Sequence, residues 1–199
     1  MDQPKTIDYN FFHWGPFLYK TRLTPEELEK VRAICTKDSN DYRFQLAGLI
    51  KKEIQLDVKK LFPILSPYLN SYARAYEQYA GVPLPGNNME LISCWVNYMT
   101  KFESNPLHTH DDDLSFVIYT KIPKELRQEV NETVGRTKPG EINFIHTLGP
   151  NKLTLNQHTF LPEVGNIFIF PAHLHHCVNH FQSEGERISV SGNLKITKK

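Results

Sequence analysis

A chain of 199 residues, 40% hydrophobic and 23% charged, has an ordinary globular composition and the length to bury about 70% of its unfolded surface in one core. Its formal net charge of +1 and scattered lysines give no basic surface to draw in nucleic acid. Three widely spaced cysteines, Cys35, Cys94 and Cys177, are poor material for a disulfide framework; with no apolar leader and no membrane-length apolar run, the expected compartment is the cytoplasm and no membrane partner is expected.

The first aromatics, Tyr9, Phe11, Phe12, Trp14 and Phe17, are expected to pack on the fold rather than to join subunits, whose number the sequence leaves open. Residues 24–35 predict a helix: Thr24 is its N-cap, Pro25 lies in the first turn, Glu27 completes a capping box, and Leu28, Val31 and Cys35 share a face. Helical periodicity returns over 43–53 and 66–79, the latter with an apolar stripe of Leu65, Leu69, Tyr72, Ala73 and Tyr76 that ends at Gly81 and Pro83.

From Glu90 the texture changes to short apolar or alternating runs, LISCWVNYM, LSFVIYTKIP, EINFIHTL, KLTLNQHTF, NIFIFPA, HHCVNHF and RISVSGNLKI, separated by turn residues. Such spacing predicts an antiparallel sandwich or jelly roll. The charged stretch 123–139 reads as a partly helical surface insertion, with a lid as the alternative. The expected architecture is one domain over 1–199, mainly β with N-terminal helices: a helical support region at 1–88 and a β core at 89–199.

Eight of the nine histidines fall between His108 and His180. In a strand, His108, His110 and Asp112 would project from one face, since residues two apart share a side. A jelly roll can supply a further ligand from a distant strand; His173, His175, His176 and His180 are the candidates and His176 is preferred. Two histidines and a carboxylate on one face of an ion leave the opposite positions open, an arrangement suited to non-haem Fe(II) and dioxygen. A closed zinc site through Cys177 lacks a second cysteine nearby.

The order HTH, LSFVIY, GEINF, GNIFIFPAHLHHCV, ERISVSGNL resembles the 2-oxoglutarate and Fe(II)-dependent oxygenases, in particular a prolyl-hydroxylase-like branch found in phages and bacteria; the opening HWGPFLYKTRL resembles that branch too. The resemblance implies a cupin-like double-stranded β-helix. It also implies Fe(II), 2-oxoglutarate and dioxygen as cofactor and cosubstrates, and hydroxylation of an unidentified protein or small-molecule substrate, proline among the possibilities. By that resemblance His176 is the distal iron ligand and Arg187 grips the far carboxylate of 2-oxoglutarate, with Ser189 beside it on the same face. Two registers stay open for the other ligands, His110 with Asp112 or His108 with His110. Tyr98, ten residues before His108, matches a tyrosine that contacts 2-oxoglutarate in some prolyl hydroxylases; Tyr119 is a weaker candidate. The competing readings are an inactive jelly-roll binding module and a cupin-type metalloenzyme that does not use 2-oxoglutarate.

Overall fold

The computed structural model describes residues 15–35, 40–146 and 155–198. In chain order its elements are β1 (Tyr19–Arg22), α1 (Pro25–Ile34), a 3-10 turn (Arg43–Gln45), β2 (Glu53–Gln55), α2 (Val58–Ala80), β3 (Asn88–Met99), β4 (Asn105–His108), β5 (Leu114–Lys121), α3 (Leu126–Glu132), β6 (Ile142–Ile145), β7 (Gln157–Phe160), β8 (Asn166–Pro171), β9 (His175–Val178) and β10 (Arg187–Thr197).

Helix α1 begins where its capping chemistry requires. The Thr24 hydroxyl accepts from the Glu27 N–H at 3.2 Å, and the Glu27 carboxylate accepts from the Thr24 N–H at 3.0 Å, which satisfies two otherwise orphaned donors. Helix α2 is longer than the expected 66–79. Asp57 caps it by accepting from the Lys59 N–H at 2.9 Å, and it runs through Pro63 and Pro67 to Gly81, whose φ of 70° ends it. Both prolines are exposed, so the carbonyls of Lys59 and Pro63, deprived of their usual donors, can be hydrated. Leu61, Leu65, Leu69 and Tyr72 form its buried stripe.

The helix expected over 43–53 is replaced by one 3-10 turn and an extended chain. Strand-like partners claim its backbone: the Leu49 N–H bonds Ser104 O, the Tyr42 N–H bonds Glu53 O, and β2 pairs with β3 from Glu53 opposite Asn97 to Gln55 opposite Trp95. Gly48, packed against the Glu53 carboxyl, adds a weak point in any helix there.

The strands form two antiparallel sheets, one of six in the order β1-β8-β5-β10-β3-β2 and one of four in the order β4-β9-β6-β7, the jelly roll that the run spacing predicts. One face of the large sheet packs on α1 and α2 through Cys94, Val96 and Tyr98 of β3, Phe116 and Ile118 of β5, and Val190 and Leu194 of β10. Its other face carries Met99, Val117 and Tyr119 toward the small sheet, where Ile142, Phe144 and Val178 meet them.

Of the aromatic N-terminal run only Phe17 lies among the described residues, and it stacks on Tyr79 at 5.1 Å and meets Tyr72 at 5.3 Å. The start of KLTLNQHTF also lies outside them; its end, Gln157–Phe160, is β7. Stretch 123–139 is partly helical as expected, and its helix α3 is anchored at the surface: Leu126 is fully buried, and the Glu129 carboxylate accepts from the backbone N–H groups of Gln182 and Ser183 at 2.8 Å each. None of its residues lines the cavity described below. Among the described residues no helix is long and apolar enough to cross a membrane.

Candidate metal centre

His108 ends β4 directly opposite His176 on β9, and His110 follows two residues later, tied down where its N–H bonds Ala172 O at 2.9 Å. Ring centroids stand 4.1 Å apart for His108 and His176, 5.0 Å for His108 and His110, and 5.2 Å for His110 and His176. One nitrogen from each lies within 4.8 Å of the others, close enough to share one metal ion.

The rings are also prepared electronically. Nδ1 of His108 meets Pro106 O at 2.6 Å and Nδ1 of His176 meets Leu174 O at 2.8 Å. A carbonyl only accepts, so each Nδ1 carries the proton and each Nε2 keeps a lone pair for a metal. Burial lowers all three pKa values, that of His110 to about 4 and that of His176 to about 3, so the imidazoles are neutral, ligand-competent donors at neutral pH. Phe170 packs edge-on to His176 at 4.9 Å and Trp95 flanks His110 at 5.8 Å, which limits the rings' freedom.

Asp112 is not part of this cluster. The strand geometry that would align it with the histidines stops at His108, and the chain then bends through residues 111–113. That bend is pinned to the large sheet: the Asp113 N–H bonds Leu194 O, Asp113 O accepts from the Ala172 N–H, and the Asp113 carboxylate accepts from the Ile196 N–H at 2.7 Å. The tie fixes the turn in which Asp112 sits, beyond the end of β4.

Behind the histidines a cavity runs between the sheets, lined by Arg187 and Ser189 of β10, Asn97 of β3, Tyr119 of β5 and Asn105 of β4. Arg187 is 2% exposed and enters none of the ion pairs among the described residues; Glu184 pairs instead with Lys101 and Glu186 with Lys121. Its Nη2 donates to the Tyr119 hydroxyl at 3.1 Å, its Nη1 approaches Met99 Sδ at 3.8 Å, and its Nε has no partner among the described residues. Desolvation pulls the Arg187 pKa down and pushes that of Tyr119 up. A cation buried without a counter-charge is a costly arrangement that an incoming carboxylate would relieve.

Tyr98 does not enter the cavity. Side chains alternate along β3, so Asn97 and Met99 face the histidines while Tyr98 points into the helical layer, where its hydroxyl donates to Cys35 O at 3.1 Å. Tyr119, a weak candidate from sequence, touches Arg187 directly. Asn97 and Asn105 line the cavity without belonging to any motif; Asn97, set inside the apolar run LISCWVNYM, is a visible sequence signal of a polar interior, and Asn105 carries no such signal.

The donor set fits iron, since imidazole nitrogens suit Fe as they do Zn, Cu and Ni, and the orphaned Arg187 Nε fits a carboxylate. Residues 93–193, just over half the chain, match the family described as "Putative 2OG-Fe(II) oxygenase". A search of curated proteins finds no match. Among solved structures, the chain is similar to a prolyl-4-hydroxylase of Pseudomonas putida (15% identity, TM-score 0.54, 90% of this chain and 92% of that one). It is similar to the viral collagen prolyl hydroxylase of Paramecium bursaria Chlorella virus-1 in its 2-oxoglutarate complex (13%, 0.54, 90% and 96%). It is similar too to HygX of Streptomyces hygroscopicus with nickel and 2-oxoglutarate bound (11%, 0.53, 92% and 83%). These likenesses establish the fold, a double-stranded β-helix.

Proposed function

The chain belongs to the 2OG-Fe(II) oxygenases, and from that premise we propose that His108, His110 and His176 hold the iron, that Arg187 binds the distal carboxylate of 2-oxoglutarate, and that the reaction is hydroxylation of an aliphatic C–H bond. Iron with 2-oxoglutarate supplies the coupling of oxidative decarboxylation to C–H oxidation by dioxygen. The observation that carries the reading is a buried, uncompensated guanidinium in the same cavity as three neutral imidazoles.

Each residue then has a task. The planar fork of Arg187 matches a carboxylate, and the Tyr119 hydroxyl, which accepts from Nη2, keeps its own proton to donate alongside. Ser189 stands two residues along the same face and offers a second hydroxyl. Met99, Ile142 and Val178 keep bulk water from this pair, so each hydrogen bond there counts for more than it would in solvent. An all-histidine set brings no negative charge, and the anionic cosubstrate would supply it.

The two ligand registers make different predictions. His108→Ala is expected to weaken Co(II) binding by about 100-fold or more, whereas Asp112→Ala should leave it within about twofold of wild type. Spectrophotometric Co(II) titration reads both; the reverse pattern would restore the His110 and Asp112 register.

Similarity to two prolyl hydroxylases makes a prolyl side chain of a protein the first substrate to test. With Fe(II), ascorbate and 2-oxoglutarate, succinate release is expected to rise on adding proline-rich peptides, with a matching mass gain of one oxygen in the peptide. Succinate release that no peptide stimulates would remove the protein-prolyl reading and leave a small-molecule substrate.

A further inference from the structure

Five buried side-chain atoms among the described residues lack a hydrogen-bond partner, and three of them belong to residues lining the cavity: Arg187 Nε, Asn97 Oδ1 and Asn105 Oδ1. Such atoms are rare in folded proteins because a buried polar group without a partner is costly, so three around one cavity ask for a common cause.

Strand register locates them. On the large sheet Arg187 lies opposite Met99, Ser189 opposite both Asn97 and Tyr119, and Ser191 opposite Trp95, which flanks His110. Asn97 therefore sits in the row between the Arg187 end and the histidine end, about 7 Å from either row at two residues per step. From the small sheet, Asn105 pairs with Val178, one step along from the His108 and His176 pair, and so faces the same middle zone.

The amide of Asn97 reaches Ser189 Oγ at 3.3 Å and Ser191 Oγ at 3.4 Å through its Nδ2. Hydroxyls both donate and accept, so the same contacts survive if the amide turns over: the serines then donate to Oδ1, and Nδ2 becomes the end left facing the cavity. Turned this way, an amide changes from an unsatisfied acceptor to a donor suited to an anion. The same turn is open to Asn105, whose Oδ1 has no hydrogen-bond partner among the described residues to oppose it.

We propose that Asn97 and Asn105, from opposite sheets, form an amide clasp that donates to the metal-proximal end of the 2-oxoacid and so positions it between Arg187 and the histidines. The inference rests on the 2-oxoglutarate reading above. The clasp is a selectivity device as well. Neutral amides accept a dianion beside a +2 metal, whereas a carboxylate at either position would repel it.

The test is equilibrium binding of 2-oxoglutarate by calorimetry to the Ni(II)-loaded protein, which needs no turnover. Asn97→Ala and Asn105→Ala are each expected to raise Kd about tenfold, and Asn97→Asp and Asn105→Asp further still. Ni(II) affinity, measured on the same samples, should stay within about twofold and shows that each variant is folded around an intact centre. 2-Oxoglutarate affinities equal to wild type in all four variants would overturn the clasp while the oxygenase reading stands. Failure of the wild type itself to bind 2-oxoglutarate would overturn both. A parallel loss of Ni(II) and 2-oxoglutarate affinity would also overturn the clasp, by making the asparagines supports of the metal site.

Discussion

Arg187→Gln is expected to weaken 2-oxoglutarate binding by about 100-fold or more while leaving metal affinity near the wild-type value. A charge-assisted, desolvated contact to a carboxylate is lost, which typically costs roughly 2–5 kcal/mol. The starting state matters as well. Arg187 is buried with no ion-pair partner among the described residues, so wild-type protein carries an electrostatic cost that binding relieves, and the glutamine variant does not. The variant should accordingly be no less stable than wild type without cosubstrate, and more weakly stabilised by it. Thermal melts with and without 2-oxoglutarate, on Ni(II)-loaded protein, read this directly. A wild-type-sized shift in the variant would remove Arg187 from the binding site. Arg187→Lys should recover only part of the affinity, because an ammonium keeps the charge but not the fork.

Glu53→Gln is the second large expectation, and it concerns stability. Glu53 is 1% exposed on the edge strand β2, its two carboxyl oxygens have no hydrogen-bond partner among the described residues, and its pKa is pushed up to about 7. Desolvation is the main cause; the Glu103 carboxylate adds to it, as Asp41 does, and Arg43 opposes. Glu103 is itself committed, accepting from the backbone N–H groups of Lys51 at 3.0 Å and Thr100 at 2.7 Å.

The folded-state pKa lies above the ordinary value of 4.5, so the sign is the reverse of a salt-bridged carboxylate. Below about pH 4.5 the group is neutral in both states and has no effect. Between 4.5 and 7 the unfolded chain releases the proton first, so wild-type stability falls as pH rises, by about 1.4 kcal/mol per unit and about 3 kcal/mol over the window. Above 7 the loss is constant. Glu53→Gln should therefore match wild type near pH 4 and exceed it by about 3 kcal/mol at pH 8. Urea unfolding across this range is the measurement; parallel pH profiles for the two proteins would show that Glu53 ionises freely.

Most of the β architecture was legible because its signals are local. Period-two runs, turn residues and the clustering of histidines after Glu90 announced a jelly roll with a metal site, and the Thr24 capping box announced α1. The helix over 43–53 misled because its periodicity competes with long-range pairing: Ser104 and β3 take up backbone groups that a helix would have used internally. Strand parity explains the exchange of Tyr98 for its neighbours. Ten residues from His108 is a sequence distance, and it says nothing of which face a side chain occupies until β3 is registered against β10. With Arg187 known to face the cavity, its partner Met99 and hence Asn97 must face it as well.

The sequence by itself determined the fold class, the family resemblance and the chemical types in the site, since each is written in residue order and short-range spacing. It also supplied His110, His176 and Arg187 as candidates in advance. Only the tertiary structure decided which imidazoles converge, by pairing His108 with His176 across β4 and β9 and pinning the 111–113 bend through Asp113, so that Asp112 lies outside the cluster. It alone showed Arg187 buried against Tyr119. Convergence and burial arise from contacts some 70 residues apart in the chain, and no local pattern encodes the geometry of such contacts.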